Sequence, residues 1–120
     1  MRTVLTKTFE FHAAHRLPTF PEGHKCRGLH GHTFKFDVAL EGEVDPAKGY
    51  LVDFGEIKRI AEPIVDRLDH QYLNDIEGLE TPTAENLAKW IYDRLIDELP
   101  MLKMVRVRET STSAAEYFGD

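Results

Sequence analysis

The chain has 120 residues, enough for one domain and one hydrophobic core, which at this size buries roughly two thirds of the surface exposed by the unfolded chain. Hydrophobic residues at 42% and charged residues at 30% exclude a disordered or fibrous chain, and a net charge of -6 argues against phosphate-neutralising nucleic-acid binding. One cysteine excludes an internal disulfide, and no window approaches the roughly 18 apolar residues of a membrane span. Met1 to Glu10 has no apolar core of signal-peptide length, so the cytoplasm is the expected compartment.

From Val4 to His15, Phe9, Phe11 and Ala13 recur at every second position, the period of a strand with one buried face. Leu17 to Leu29 has two prolines, two glycines and no apolar period, which predicts a loop long enough to carry function. That loop holds Cys26 and a basic patch of His24, Lys25 and Arg27, with Arg16 just upstream. From His30 the alternation resumes through His32, Phe34, Phe36, Val38 and Leu40, predicting a second strand that ends near Gly42. Asp45-Pro46 and Lys48-Gly49 mark turns.

Asp53 followed by Glu56 is a capping-box-like start, and Phe54, Ile57, Ala61, Ile64 and Leu68 follow at helical intervals. Pro63 predicts a kink or break inside that helix. A second helix is expected from Thr83 to before Pro100, with Ala84, Leu87, Ala88, Ile91 and Leu95 on its apolar stripe. Met104 to Thr110 alternates as a third strand, and Ala114 to Phe118 as a short final one. The order is ββααββ, an α+β pattern: a four-stranded antiparallel sheet with two helices on one face. Such a sheet has two unpaired edges, and joining them to other copies is one way to satisfy them.

His30 and His32, two apart on a strand, project to one face, and His15 shares the parity of the buried row in the preceding strand. Pairing that brings these ends together supplies three imidazoles and no fourth protein ligand, the pattern of a catalytic zinc site with an open position. Imidazole donors also suit other divalent metals, and the same residues fit partly exposed strand ends. His12, of opposite parity, is expected on the surface or behind the ligands, and His24 in the loop or against a ligand. Cys26 lies among Lys25, Arg27 and His24, which favour a thiolate able to act as base or nucleophile; a buried inert cysteine is the alternative.

Asp69-His70 ends the first helix, where an acid can orient an imidazole and complete a set with Cys26. A histidine there also interacts with the last helix carbonyls. Glu109 closes the apolar face of the third strand with a carboxylate. It suits the adjacent N–H groups of an amino-pyrimidinone, or it pairs with Arg106 or Arg108, which point to the other face. Arg and Lys of the loop can then meet an anionic tail.

These segments resemble the family of 6-pyruvoyltetrahydropterin and 6-carboxytetrahydropterin synthases. The motifs are Phe11-His12-Ala13-Ala14-His15-Arg16-Leu17, Gly23-His24-Lys25-Cys26, Leu29-His30-Gly31-His32, Leu68-Asp69-His70, Pro82-Thr83-Ala84-Glu85-Asn86-Leu87 and Glu109-Thr110. The resemblance implies the tunnelling fold, in which sheets from several subunits join into a barrel, as a homo-oligomer expected to be a hexamer of two trimers with active sites between subunits. It implies Zn2+ on His15, His30 and His32, a triad of Cys26, Asp69 and His70 drawn from neighbouring subunits, and Glu109 anchoring a pterin, with Thr110, Arg16, His24, Lys25 and Arg27 as further substrate contacts.

The three residues between Cys26 and His30-Gly31-His32 resemble the carboxy-producing branch. That likeness implies 7,8-dihydroneopterin triphosphate as substrate, with 6-carboxy-5,6,7,8-tetrahydropterin, acetaldehyde and triphosphate as products, on a route to queuosine. The pyruvoyl-producing reaction on the same site, and a metal-binding protein without turnover, are the competing expectations.

Overall fold

The computed structural model covers Met1–Asp120 and orders the chain as β1 (Arg2–His15), β2 (His30–Glu43), α1 (Phe54–Leu68), β3 (Gln71–Tyr72), α2 (Ala84–Leu95), β4 (Leu102–Thr110) and β5 (Ser113–Tyr117). The sheet order is β3-β1-β2-β4-β5. The four longer strands pair antiparallel, as the alternation predicts. A fifth strand, β3, has only two residues and runs parallel to Ala13 and Ala14 of β1, too short to leave a period in the sequence.

β1 and β2 form one long hairpin in unbroken register from Arg2 opposite Glu43 to His15 opposite His30. Because side chains alternate, Phe11, Phe34, Phe36, Val38 and Leu40 turn to the same face and are at most 1% exposed. Ile57, Ala61, Ile64 and Leu68 of α1 and Leu87, Ala88, Ile91 and Leu95 of α2 join them in one cluster, so both helices cover that face.

The helix starts are built as the sequence suggests. Asp53 accepts from the Gly55 N–H at 2.8 Å and Thr83 from the Asn86 N–H at 3.1 Å, each satisfying an orphan donor of the first turn. Glu56 does not reach back to complete a box; it pairs instead with Arg59 one turn on. The break expected at Pro63 does not occur: α1 is continuous to Leu68. Pro63 and Arg59 both lie on the exposed side, where a carbonyl that has lost its ladder donor can turn to water.

The opposite face of the sheet is polar. Thr8, Asp37, Arg106 and Glu116 stand side by side across β1, β2, β4 and β5. The Thr8 hydroxyl donates to Asp37 at 2.7 Å, and Arg106 donates to Asp37 at 3.0 Å and to Glu116 at 2.9 Å. No helix is long and apolar enough to cross a membrane.

Candidate active site

Register places the three histidines together. His15 and His30 face each other at the closed end of the β1–β2 hairpin, and His32 lies two residues further along β2 opposite Ala13. Their rings sit 4.5 to 5.2 Å apart between centroids, and one nitrogen from each lies within 4.8 Å of the others.

Backbone carbonyls set the orientation of two of these rings. The His15 Nδ1 lies 2.9 Å from the Pro82 carbonyl and the His30 Nδ1 lies 2.7 Å from the Gly28 carbonyl. A carbonyl can only accept, so each Nδ1 carries the proton and each Nε2 keeps a free lone pair. The Nε2 of His15 is fully buried and has no hydrogen-bond partner. A buried nitrogen in that state costs about 1–3 kcal/mol unless something binds it. Burial, more than the charge of His30 and His32, pulls the His15 pKa down to about 4 against the opposing effect of the Pro82 carbonyl. His32 is shifted down for the same first reason. Neutral imidazoles with free, converging lone pairs are the form that binds a transition metal, so this donor set fits one.

Beside the histidines is a cavity of about 360 Å³ lined by Cys26, Leu17, Phe20, Glu85, Glu109 and Thr110, among others. The loop carrying Cys26 is pinned: the Leu17 N–H donates to the Cys26 carbonyl at 3.0 Å, and the Cys26 N–H donates to His24 Nδ1 at 3.0 Å. His24 also stacks on Phe20. Cys26 is half-buried, so its thiol reaches the cavity without being sealed in the core. Glu109 lies 3.8 Å from His32 Nε2. Burial raises its pKa and Glu85 adds to the rise, while His30 opposes it. A carboxylate desolvated in this way gains most from a ligand that brings N–H donors.

The loop cations are partly engaged. Arg27 donates to the Pro18 and Phe20 carbonyls at 3.0 and 2.8 Å, and Arg16 Nε reaches the Arg27 carbonyl at 3.4 Å. Lys25 is exposed. Asn74 ties the start of the loop to the core by accepting from the Arg16 N–H and donating to the Arg16 carbonyl.

Asp69 and His70 form a pair, but not in the cavity of Cys26. Asp69 accepts from the His12 N–H at 2.8 Å and holds His70 Nδ1 at 2.9 Å. Those two contacts, the backbone one first, lower the Asp69 pKa. His70 has φ of 57°, the left-handed region, and its N–H donates to the His12 carbonyl; this turn aims the imidazole back at Asp69. His70 lines a different hollow, with His12, Gly31, His32 and Thr33. One chain therefore separates the cysteine from the acid–imidazole pair. Pro82, Gly28, Asn74 and Glu85 also take part in the site, although the sequence assigns none of them a role there. The first two act through carbonyls, which residue identity does not reveal.

Comparison with known proteins identifies the family. Residues 4–120 match the family model described as 6-pyruvoyl tetrahydropterin synthase. The chain is 45% identical to the 6-carboxy-5,6,7,8-tetrahydropterin synthase of Synechocystis sp., over 97% of this chain and 93% of the relative. It is 41% identical to the dihydroneopterin monophosphate aldolase of Pyrococcus furiosus, over 76% and 75%. The solved structure of Caenorhabditis elegans 6-pyruvoyl tetrahydropterin synthase superposes with a TM-score of 0.90 at 29% identity, covering 100% of this chain and 97% of that one.

Proposed function

Because the chain belongs to the 6-pyruvoyl tetrahydropterin synthase family, we propose that it is a 6-carboxy-5,6,7,8-tetrahydropterin synthase: a carbon-carbon lyase that converts 7,8-dihydroneopterin triphosphate with release of acetaldehyde and triphosphate, on the route to queuosine and in the cytoplasm. The observation that carries this reading is the buried, partnerless His15 Nε2, aimed with His30 and His32 at one point beside the cavity of Cys26 and Glu109.

His15, His30 and His32 would hold Zn2+, three nitrogens with an open position. A zinc ion held by these residues would supply Lewis acidity toward the oxygens of the substrate side chain. Glu109 binds the pterin by accepting from adjacent N–H groups of its amino-pyrimidinone edge, which compensates the desolvation of the carboxylate. Thr110 lines the same cavity. Arg16, His24, Lys25 and Arg27 on the Cys26 loop meet the anionic tail. Cys26 moves a proton at the side-chain carbon, and His70, oriented by Asp69, acts on the hydroxyl.

A single copy divides these proton carriers between two hollows, so the complete set requires the Asp69–His70 edge of a neighbouring copy to close over the Cys26 cavity. The outer edge of β5, and that of β1 ahead of the two residues covered by β3, offer the means of joining copies into a hexamer of two trimers. The Pyrococcus relative supports a second reading, dihydroneopterin monophosphate aldolase activity at the same site. Purified zinc-loaded protein, given the triphosphate and the monophosphate in parallel, tests both. Acetaldehyde with a 6-carboxy product from the triphosphate is expected. Turnover of the monophosphate alone establishes the aldolase reading, and a pyruvoyl product without acetaldehyde overturns the carboxy assignment.

A further inference from the structure

The polar face of the sheet carries two rows of charged residues that are treated differently. In one, Asp37, Arg106 and Glu116 are fully knitted. In the next, two residues along, Glu10 stands opposite Lys35 and Lys35 opposite Arg108. Two cations directly opposite each other on neighbouring strands repel and destabilise the pair. No ion pair offsets them: neither Lys35 nor Arg108 has a carboxylate within ion-pair distance, although Glu10 is Lys35's register partner.

The two cations border a hollow of about 580 Å³ whose other walls include Thr33, Thr110 and Ser111, three hydroxyl donors, together with the carboxylates of Glu10 and Glu109. The Thr33 hydroxyl also bonds His12 Nδ1 at 3.0 Å. No apolar residue lines it. A planar guanidinium beside an ammonium, with hydroxyls around them, matches an anion that has several oxygens in a row and enough charge to outweigh two nearby carboxylates. A linear polyphosphate meets both conditions, whereas orthophosphate has too few oxygens to span the pair and the hydroxyls.

We infer that Lys35 and Arg108, with Thr33, Thr110 and Ser111, form a binding site for a linear polyphosphate on the sheet face away from the helices, in a hollow that shares Glu109 and Thr110 with the cavity of Cys26 but does not include the cysteine. The inference rests on the proposed reaction only for its biological ligand, since that reaction both consumes and releases a triphosphate group. The ligand is either the released inorganic triphosphate or the tail of a substrate molecule held by another copy.

Calorimetric titration of the zinc-loaded protein with inorganic triphosphate, and separately with orthophosphate, tests it. Titration of Lys35→Gln, Arg108→Gln and the double variant follows, each checked for metal content so that chelation is subtracted. Triphosphate is expected to bind more tightly than orthophosphate, and the double variant to bind it roughly tenfold more weakly, the loss expected for charge-assisted bonds. Without ligand, Lys35→Gln is expected to melt no lower than the parent, because it removes a repulsion.

If KM for the substrate rises in the variants, the site holds a substrate tail; if KM is unchanged and only triphosphate affinity falls, it holds the released anion. Equal triphosphate affinity in parent and double variant, or no preference over orthophosphate, overturns the inference. Because this titration needs no turnover, acetaldehyde production without triphosphate binding removes only the polyphosphate site. Binding that depends on Arg108 without acetaldehyde removes only the assigned reaction.

Discussion

Replacement of His15 by phenylalanine separates the metal-binding account from a purely structural role for this imidazole. In the metal-free protein His15→Phe leaves the buried Pro82 carbonyl without its Nδ1 donor, about 1–3 kcal/mol, and removes the partnerless buried Nε2, whose penalty is about 1–3 kcal/mol. A ring of similar size beside Phe34, whose centroid lies 5.3 Å away, keeps the packing. The terms nearly cancel, so metal-free parent and variant should differ by about 1 kcal/mol or less, which for a chain of this length is about 4 °C in melting temperature.

With zinc the two should diverge. At a free concentration a hundredfold above the dissociation constant the parent gains about 2.7 kcal/mol from binding, or about 11 °C, and the variant should gain little. Calorimetric melting with and without chelator, together with metal content by mass spectrometry, gives both numbers. A variant that retains metal as the parent does, or a metal-free variant destabilised by several kcal/mol, refutes the assignment of His15 as a ligand.

Other outcomes follow from the same geometry. Cys26→Ala should abolish turnover while metal content and melting temperature stay at parental values; full activity would remove Cys26 from the mechanism. Mixing inactive Cys26→Ala with inactive His70→Ala under subunit-exchange conditions should restore part of the activity, and complete silence of the mixture would contradict a site shared between copies. Asp37→Ala should cost about 3 kcal/mol, because it leaves Arg106 half-buried without its inner partner, and should lower the melting temperature by about 12 °C; a change within 2 °C or so would show that the row on the polar face contributes little.

The parts of the fold that depend on periodicity were legible in the sequence. Two alternating strands, two amphipathic stripes and the shared parity of His15 with Phe11 and of His30 with Phe34 appear in the structure where the pattern puts them. The rest depends on groups that every residue carries or on partners far apart in the chain. The Pro82 and Gly28 carbonyls that orient the imidazoles belong to the backbone, 67 and two residues away from the rings they hold. Glu56 chose Arg59 over the cap because a guanidinium one turn ahead offers two donors. β3 exists only because α1 ends beside β1, which two residues of sequence do not announce. Cys26, Asp69 and His70 read as one set along the chain, and it took the separate hollows they line to show that a single copy does not assemble them.

The most direct measurement of the central claim is the stoichiometry of a single turnover. Zinc-loaded protein in excess over 7,8-dihydroneopterin triphosphate should release acetaldehyde and triphosphate in equal amounts. Triphosphate released without acetaldehyde would mean that the carbon-carbon bond stays intact and would contradict the assigned reaction.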